Sequence, residues 1–107
     1  MADLRGETIR WTFDDGPTKG KAFEHTFNRD GTVSYKMDGS DKVTKEDNYE
    51  LIETTDNVVV VSYLAHSGWT LTAVLDEKTR EVTAIASNAK DLVVQHGHFE
   101  HLRRAGT

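Results

Sequence analysis

No cysteine occurs among the 107 residues, so disulfides, thiol nucleophiles and thiolate metal sites are all excluded. A chain without thiols suits a reducing compartment, and a cytoplasmic location is the expectation. Proline is nearly missing, with Pro17 the single example. No stretch is rich in glycine or serine, no segment is of low complexity, and no repeat with a period of about 20 to 50 residues is present. Positive charge is in deficit. Thirteen Lys and Arg stand against 18 Asp and Glu, a formal net charge of −5, which argues against a protein that tracks a nucleic-acid backbone. Long hydrophobic runs are missing too. The longest purely apolar run, Val58 to Val61, is far too short to span a membrane. The opening stretch Met1 to Glu7 has no apolar h-region, so no signal peptide is expected. Helical periodicity is scarce. The length suits one domain, residues 1–107, with a core that needs no staple.

What the chain does contain is short alternating segments separated by turn signals. Ile9, Trp11 and Phe13 alternate with Thr8, Arg10 and Thr12. Ala22 to Phe27 alternates through Phe23, His25 and Phe27. The Asp30-Gly31 pair then marks a tight hairpin, because it favours the positive φ that primed turns need. Thr32 to Met37 follows with Val33, Tyr35 and Met37 on one face. Thr44 to Asp47 reads as a short helical turn capped by Thr44. Further strands are expected at Tyr49 to Glu53, Asn57 to Ala65, Trp69 to Leu75, Val82 to Ser87 and Leu92 to Leu102. The four consecutive valines predict burial on both faces of their strand. About eight antiparallel strands in so short a chain must close into a barrel or stack as a sandwich. No Cys…Trp…Cys spacing supports the immunoglobulin sandwich. The expected fold is all-β: an eight-stranded up-and-down barrel, a size whose interior holds one small ligand.

Two sets of residues resemble known families. Trp11-Thr12-Phe13-Asp14-Asp15-Gly16 with the hairpin Phe23 to Met37 resembles the bacterial phenolic acid decarboxylases. Ser67 to Asp76, Val82 to Asn88 and Gly97 to Glu100 resemble the MoaF-like domain, named for an operon of molybdenum cofactor biosynthesis. Both families are calycin, or lipocalin-like, barrels, and the stretches cover most of the chain. The decarboxylase resemblance implies a substrate held beside the aromatic pair of the first strand. In that family the pair is Tyr-x-Tyr, whose hydroxyls hold a substrate carboxylate; Trp11 and Phe13 carry none. The family's arginine after the tyrosine of the third strand corresponds to Lys36, which keeps the charge and loses the bidentate fork. Its general-acid glutamate falls near Asn48, with Glu46 and Glu50 close by. These departures argue against the same decarboxylation and leave the barrel in place. Neither resemblance leads us to expect a cofactor, a molybdenum cofactor contact included.

The ligand-binding candidates are Trp11, Phe13, Phe23, His25, Tyr35, Lys36, Tyr63 and Trp69. Aromatic residues of this kind line a pocket for a planar molecule, or else fill the barrel or make a dimer face. Lys36 divides the two lines of reasoning. The resemblance turns it inward, while strand parity sets it opposite Val33, Tyr35 and Met37, on the solvated face. His96 and His98 share one face of a strand, with His101 three residues on and Glu100 of matching parity. That is a metal-ligand spacing, but no third ligand is fixed and no metal is expected. His66 precedes Ser67-Gly68 at a strand end. No Gly-x-Ser-x-Gly elbow and no glycine-rich phosphate loop is present. The favoured role is binding a small aromatic or amphipathic metabolite in the barrel. The alternative is a small lyase or isomerase for an aromatic or conjugated acid, with His25, Lys36 or Glu50 as its acid–base group. A third reading is a packed barrel whose valine-rich face makes a homodimer.

Overall fold

Successive side chains on a strand point to opposite faces, and the apolar alternation of this chain sorts them into an inside and an outside. The computed structural model describes residues 4–103, without the side chain of Arg103. Its nine strands are β1 Thr8–Phe13, β2 Ala22–Phe27, β3 Val33–Met37, β4 Thr44–Glu46, β5 Glu50–Glu53, β6 Val58–Leu64, β7 Thr70–Asp76, β8 Glu81–Ser87 and β9 Leu92–Arg103. They form one antiparallel sheet in the order β4-β3-β2-β1-β9-β8-β7-β6-β5. Sequence neighbours pair throughout except at β4 and β5, which are the two edges. The sheet curls into an open barrel because β9, the last strand, pairs with both β1 and β8. Among the described residues no helix is long and apolar enough to cross a membrane.

The strand count is nine rather than eight. The turn expected at Thr44 to Asp47 is instead the short strand β4, with Tyr35 opposite Thr44, Ser34 opposite Lys45 and Val33 opposite Glu46. An isolated turn would leave the open edge of β3 without backbone partners, and three extended residues supply them. A second correction concerns the valines. Val59 and Val61 are buried, but Val58 and Val60 are only half-buried and Leu64 is exposed. One face of β6 meets the core and the other stays open, because nothing packs outside a single-layered barrel.

The register fills the interior unevenly. Ile9, Phe27, Val33, Tyr49, Val59, Leu75, Val82 and Phe99 pack one half solidly. On the outside, the cross-strand neighbours Glu100, Arg10, Glu24 and Lys36 make a charged row over β9, β1, β2 and β3. One glycine is required by close approach. Gly97 sits opposite Phe13 and Val82, and a Cβ there would overlap the backbone carbonyl of Thr12.

Candidate functional site

The other half of the interior is not filled. A cavity of about 440 Å³ opens at the end that carries the β1–β2, β6–β7 and β8–β9 loops. Trp11, Phe13, Phe23, His25, Tyr35, Tyr63 and Trp69 all line it, and they come from β1, β2, β3, β6 and the residue before β7. Strand parity explains the gathering: Trp11 is cross-strand from Phe23, and His25 from Tyr35, all on the inner face. Thr18, Ser67 and Gln95 add polar groups, and among the described residues no Lys, Arg, Asp or Glu side chain joins the lining.

His25 lies at the centre of this wall. Its ring stacks on Trp11 at 4.1 Å on one side and on Tyr35 at 5.3 Å on the other. Nε2 lies 3.0 Å from the Tyr63 hydroxyl, while Nδ1 is buried with no hydrogen-bond partner among the described residues. Burial pushes the imidazole pKa down to about 3, so the ring is neutral near pH 7. Burial likewise holds the Tyr63 phenol far above its usual range, with smaller contributions from Tyr35 and Glu46.

Behind Tyr35 stands a carboxylate. Glu46 is only 2% exposed. Its Oε2 accepts the Tyr35 hydroxyl at 3.1 Å. Its Oε1 accepts the backbone N–H of His66 at 3.0 Å and lies 2.6 Å from His66 Nδ1. His66 itself is largely exposed, and its Nε2 faces Asp47 at 3.2 Å. The hydrogen bond its ring gives to Glu46, followed by the charges of Asp47 and Glu46, raises its pKa. Burial first, and then Glu46, raises the Tyr35 phenol. Glu46 thus joins β4 to the β6–β7 loop across the one place where neighbouring strands do not pair.

On the opposite wall Gln95 fastens the β1–β2 loop. Its Nε2 donates to the Asp15 carbonyl at 2.8 Å and its Oε1 accepts the Thr18 hydroxyl at 3.0 Å. Gly16 makes the turn at φ +80°, and a Cβ there would meet the Gln95 side chain.

The remaining candidates lie elsewhere. Lys36 is on the outer face opposite Glu24, because Tyr35 beside it points inward. Glu50 is exposed at the start of the edge strand β5. The histidine cluster is dispersed. His96 and His98 are outside, at 2.9 Å from Asp15 and 3.3 Å from Asp14. His101 is buried toward the packed half, with Nδ1 2.7 Å from Glu7 and Nε2 2.8 Å from Glu77. Among the described residues no group of three or more His, Asp or Glu side chains is arranged to hold a metal ion. Gln95 was not among the candidates, although it shares parity with Phe99, which was a usable signal. Glu46 was named only as a neighbour of the position that the decarboxylase resemblance gives its general acid, and strand parity adds nothing in a three-residue strand.

The family model for the MoaF N-terminal domain matches residues 1–91, a span that ends just before β9. Among curated proteins none matches the chain. The fold is similar to a crystal structure described as "a putative beta-lactamase from Burkholderia vietnamiensis", with a TM-score of 0.77 at 11% identity, over 94% of this chain and 97% of that one. At so low an identity the likeness shows the fold alone.

Proposed function

We propose, from the premise that the chain belongs to the MoaF N-terminal domain family, that it binds one small aromatic molecule in the open half of a calycin-type barrel. The observation that carries this reading is the half-filled interior. Protein cores are close-packed, and an empty volume forfeits contacts that stabilise the fold. Here about 440 Å³ is left open between aromatic walls, within the range of small-molecule sites. Rings already stacked on one another, as Trp11 is on His25, offer a flat ligand a rigid face with little ordering cost.

The lyase or isomerase alternative has less support. Lys36 and Glu50 lie outside the cavity. A histidine with a pKa of about 3 is a poor acid or base near neutral pH, where catalytic groups work best with a matched pKa.

The test is saturable binding of N-phenyl-1-naphthylamine, an uncharged dye that brightens in apolar surroundings. Ala86 lines the cavity, so Ala86→Trp would fill it from a side that carries none of the polar contacts described. The wild type is expected to bind one dye per chain, and Ala86→Trp to weaken it at least about tenfold with its thermal midpoint kept. An unsaturable wild type, or equal binding by the filled variant, overturns the reading.

A further inference from the structure

We infer that the ligand is an uncharged, flat aromatic molecule that gives an O–H or N–H hydrogen bond to the Tyr35 oxygen, and that Glu46 sets this preference from behind the wall. The inference rests on the proposed binding role and names the chemistry that role serves.

A phenol has one proton to give and two positions at which to accept. Both oxygens of Glu46 act as acceptors: Oε1 toward His66, through the backbone N–H and the ring, and Oε2 toward Tyr35. The single proton of Tyr35 is therefore committed to Glu46 and turned away from the cavity. An acceptor position remains for the space that Tyr35 lines. A ligand meets that position with a donor or leaves it unpaired.

Charge narrows the class. Among the described residues no cationic side chain lines the cavity, and the buried Glu46 carboxylate lies one hydrogen bond behind Tyr35. His66, the partner of Glu46 Oε1, is on the solvent side. An anion entering the cavity would give up its water for no cationic partner among the described residues, a large cost. A carboxylic acid, the substrate type implied by the decarboxylase resemblance, is the wrong class for these walls. A cation gains no direct carboxylate contact from the lining either. What fits is a neutral ring system that stacks on Trp11 and its neighbours and presents a hydroxyl or amine edge.

Calorimetric titration of the full chain with 2-naphthol, 2-methoxynaphthalene and 2-naphthoate tests this, because the three share one ring system and differ only in the group presented. The wild type is expected to bind the naphthol about tenfold tighter than its ether, the effect of one hydrogen bond, and the naphthoate weakest of all. In Glu46→Gln the amide oxygen stays with the His66 N–H, so the amide N–H faces Tyr35 and frees the tyrosine proton toward the cavity. The naphthol-to-ether ratio should then fall to one or below. Tyr35→Phe should remove the preference while leaving ether binding in place, which keeps the test open if Glu46→Gln fails to fold. Equal binding of naphthol and ether by the wild type, or tightest binding of the naphthoate, overturns the ligand class and leaves the binding role standing. A ratio unchanged in Glu46→Gln overturns the part given to Glu46. No binding of any of the three overturns the inference and the binding role together.

Discussion

Replacing His25 with phenylalanine isolates the energetic consequence of a neutral histidine sealed in an aromatic stack. The imidazole is 3% exposed, its pKa is pushed from 6.5 to about 3 by burial, and its Nδ1 has no hydrogen-bond partner among the described residues. The unfolded chain takes up a proton near pH 6.5, while the folded chain refuses it until about pH 3. A histidine depressed in this way leaves stability intact above pH 6.5 and withdraws it as the pH falls. Between pH 7 and pH 5 the loss is about 2 kcal/mol, from about 1.4 kcal/mol for each pH unit below 6.5. Phenylalanine keeps a ring between Trp11 and Tyr35 and has nothing to titrate. Urea denaturation followed by tryptophan fluorescence at several pH values would measure both proteins. The wild-type stability minus that of His25→Phe should fall by about 2 kcal/mol from pH 7 to pH 5. His66 acts in the opposite sense. Its raised pKa contributes stability that is present below pH 6.5 and lost as the pH rises through its folded value. That contribution is common to both proteins and cancels in the difference. At pH 7 the variant loses the unpaired Nδ1 but leaves the Tyr63 hydroxyl without its partner, two effects of similar size and opposite sign, about 1–3 kcal/mol each. Parallel pH curves for the two proteins would refute the reasoning, since they would mean that the fold lets His25 take a proton as freely as the open chain does.

Two other substitutions probe the scaffold. Gly97→Ala sets a Cβ against the Thr12 carbonyl, which forces β9 off β1. A loss of about 3 kcal/mol is expected, an overpacking cost at its upper end, and thermal denaturation should show a midpoint at least about 10 °C lower; an unchanged midpoint would mean that the strands can separate there freely. His101→Ala removes the ring that the buried Glu7 and the half-buried Glu77 each contact, while Arg80 stays with Glu77. The expected cost is about 1–3 kcal/mol in urea denaturation at neutral pH, that of leaving the buried Glu7 carboxyl short of a hydrogen bond, and a cost under about 0.5 kcal/mol would mean that this contact contributes little.

Much of the barrel was legible because alternation is a local property. Ile9, Trp11 and Phe13 declare an inner face without reference to anything distant, and so do Phe23, His25 and Phe27. The same parity argument places Lys36 outside. The resemblance pulled it inward only because an aligned position was read for its charge and not for its face. β4 was harder to see. Three residues carry too little pattern to reveal a strand, and its partner is an edge of β3 that exists only once the chain has folded. Glu46 was named beside the general-acid position of the resemblance, but its place behind Tyr35 was hidden for the same reason. A carboxylate becomes a buried group here because Tyr35 and His66, from two other elements, bring donors to it. The histidines show the converse point, since His96, His98 and His101 are close in sequence and yet serve two faces of the barrel.

The pairing gap between β4 and β5 has a bearing on behaviour in a crowded solution. A sheet with two free edges invites further strands to add, and growth of that kind ends in fibres. Here β4 offers only three residues, too few to template a stable partner. β5 offers four, with Glu50 and Glu53 at its ends, so another copy of that edge laid alongside would bring like charges together. The opening that Glu46 clasps with side chains is thereby also guarded against runaway strand addition, and the barrel is spared a backbone seal at the place where its wall is least continuous.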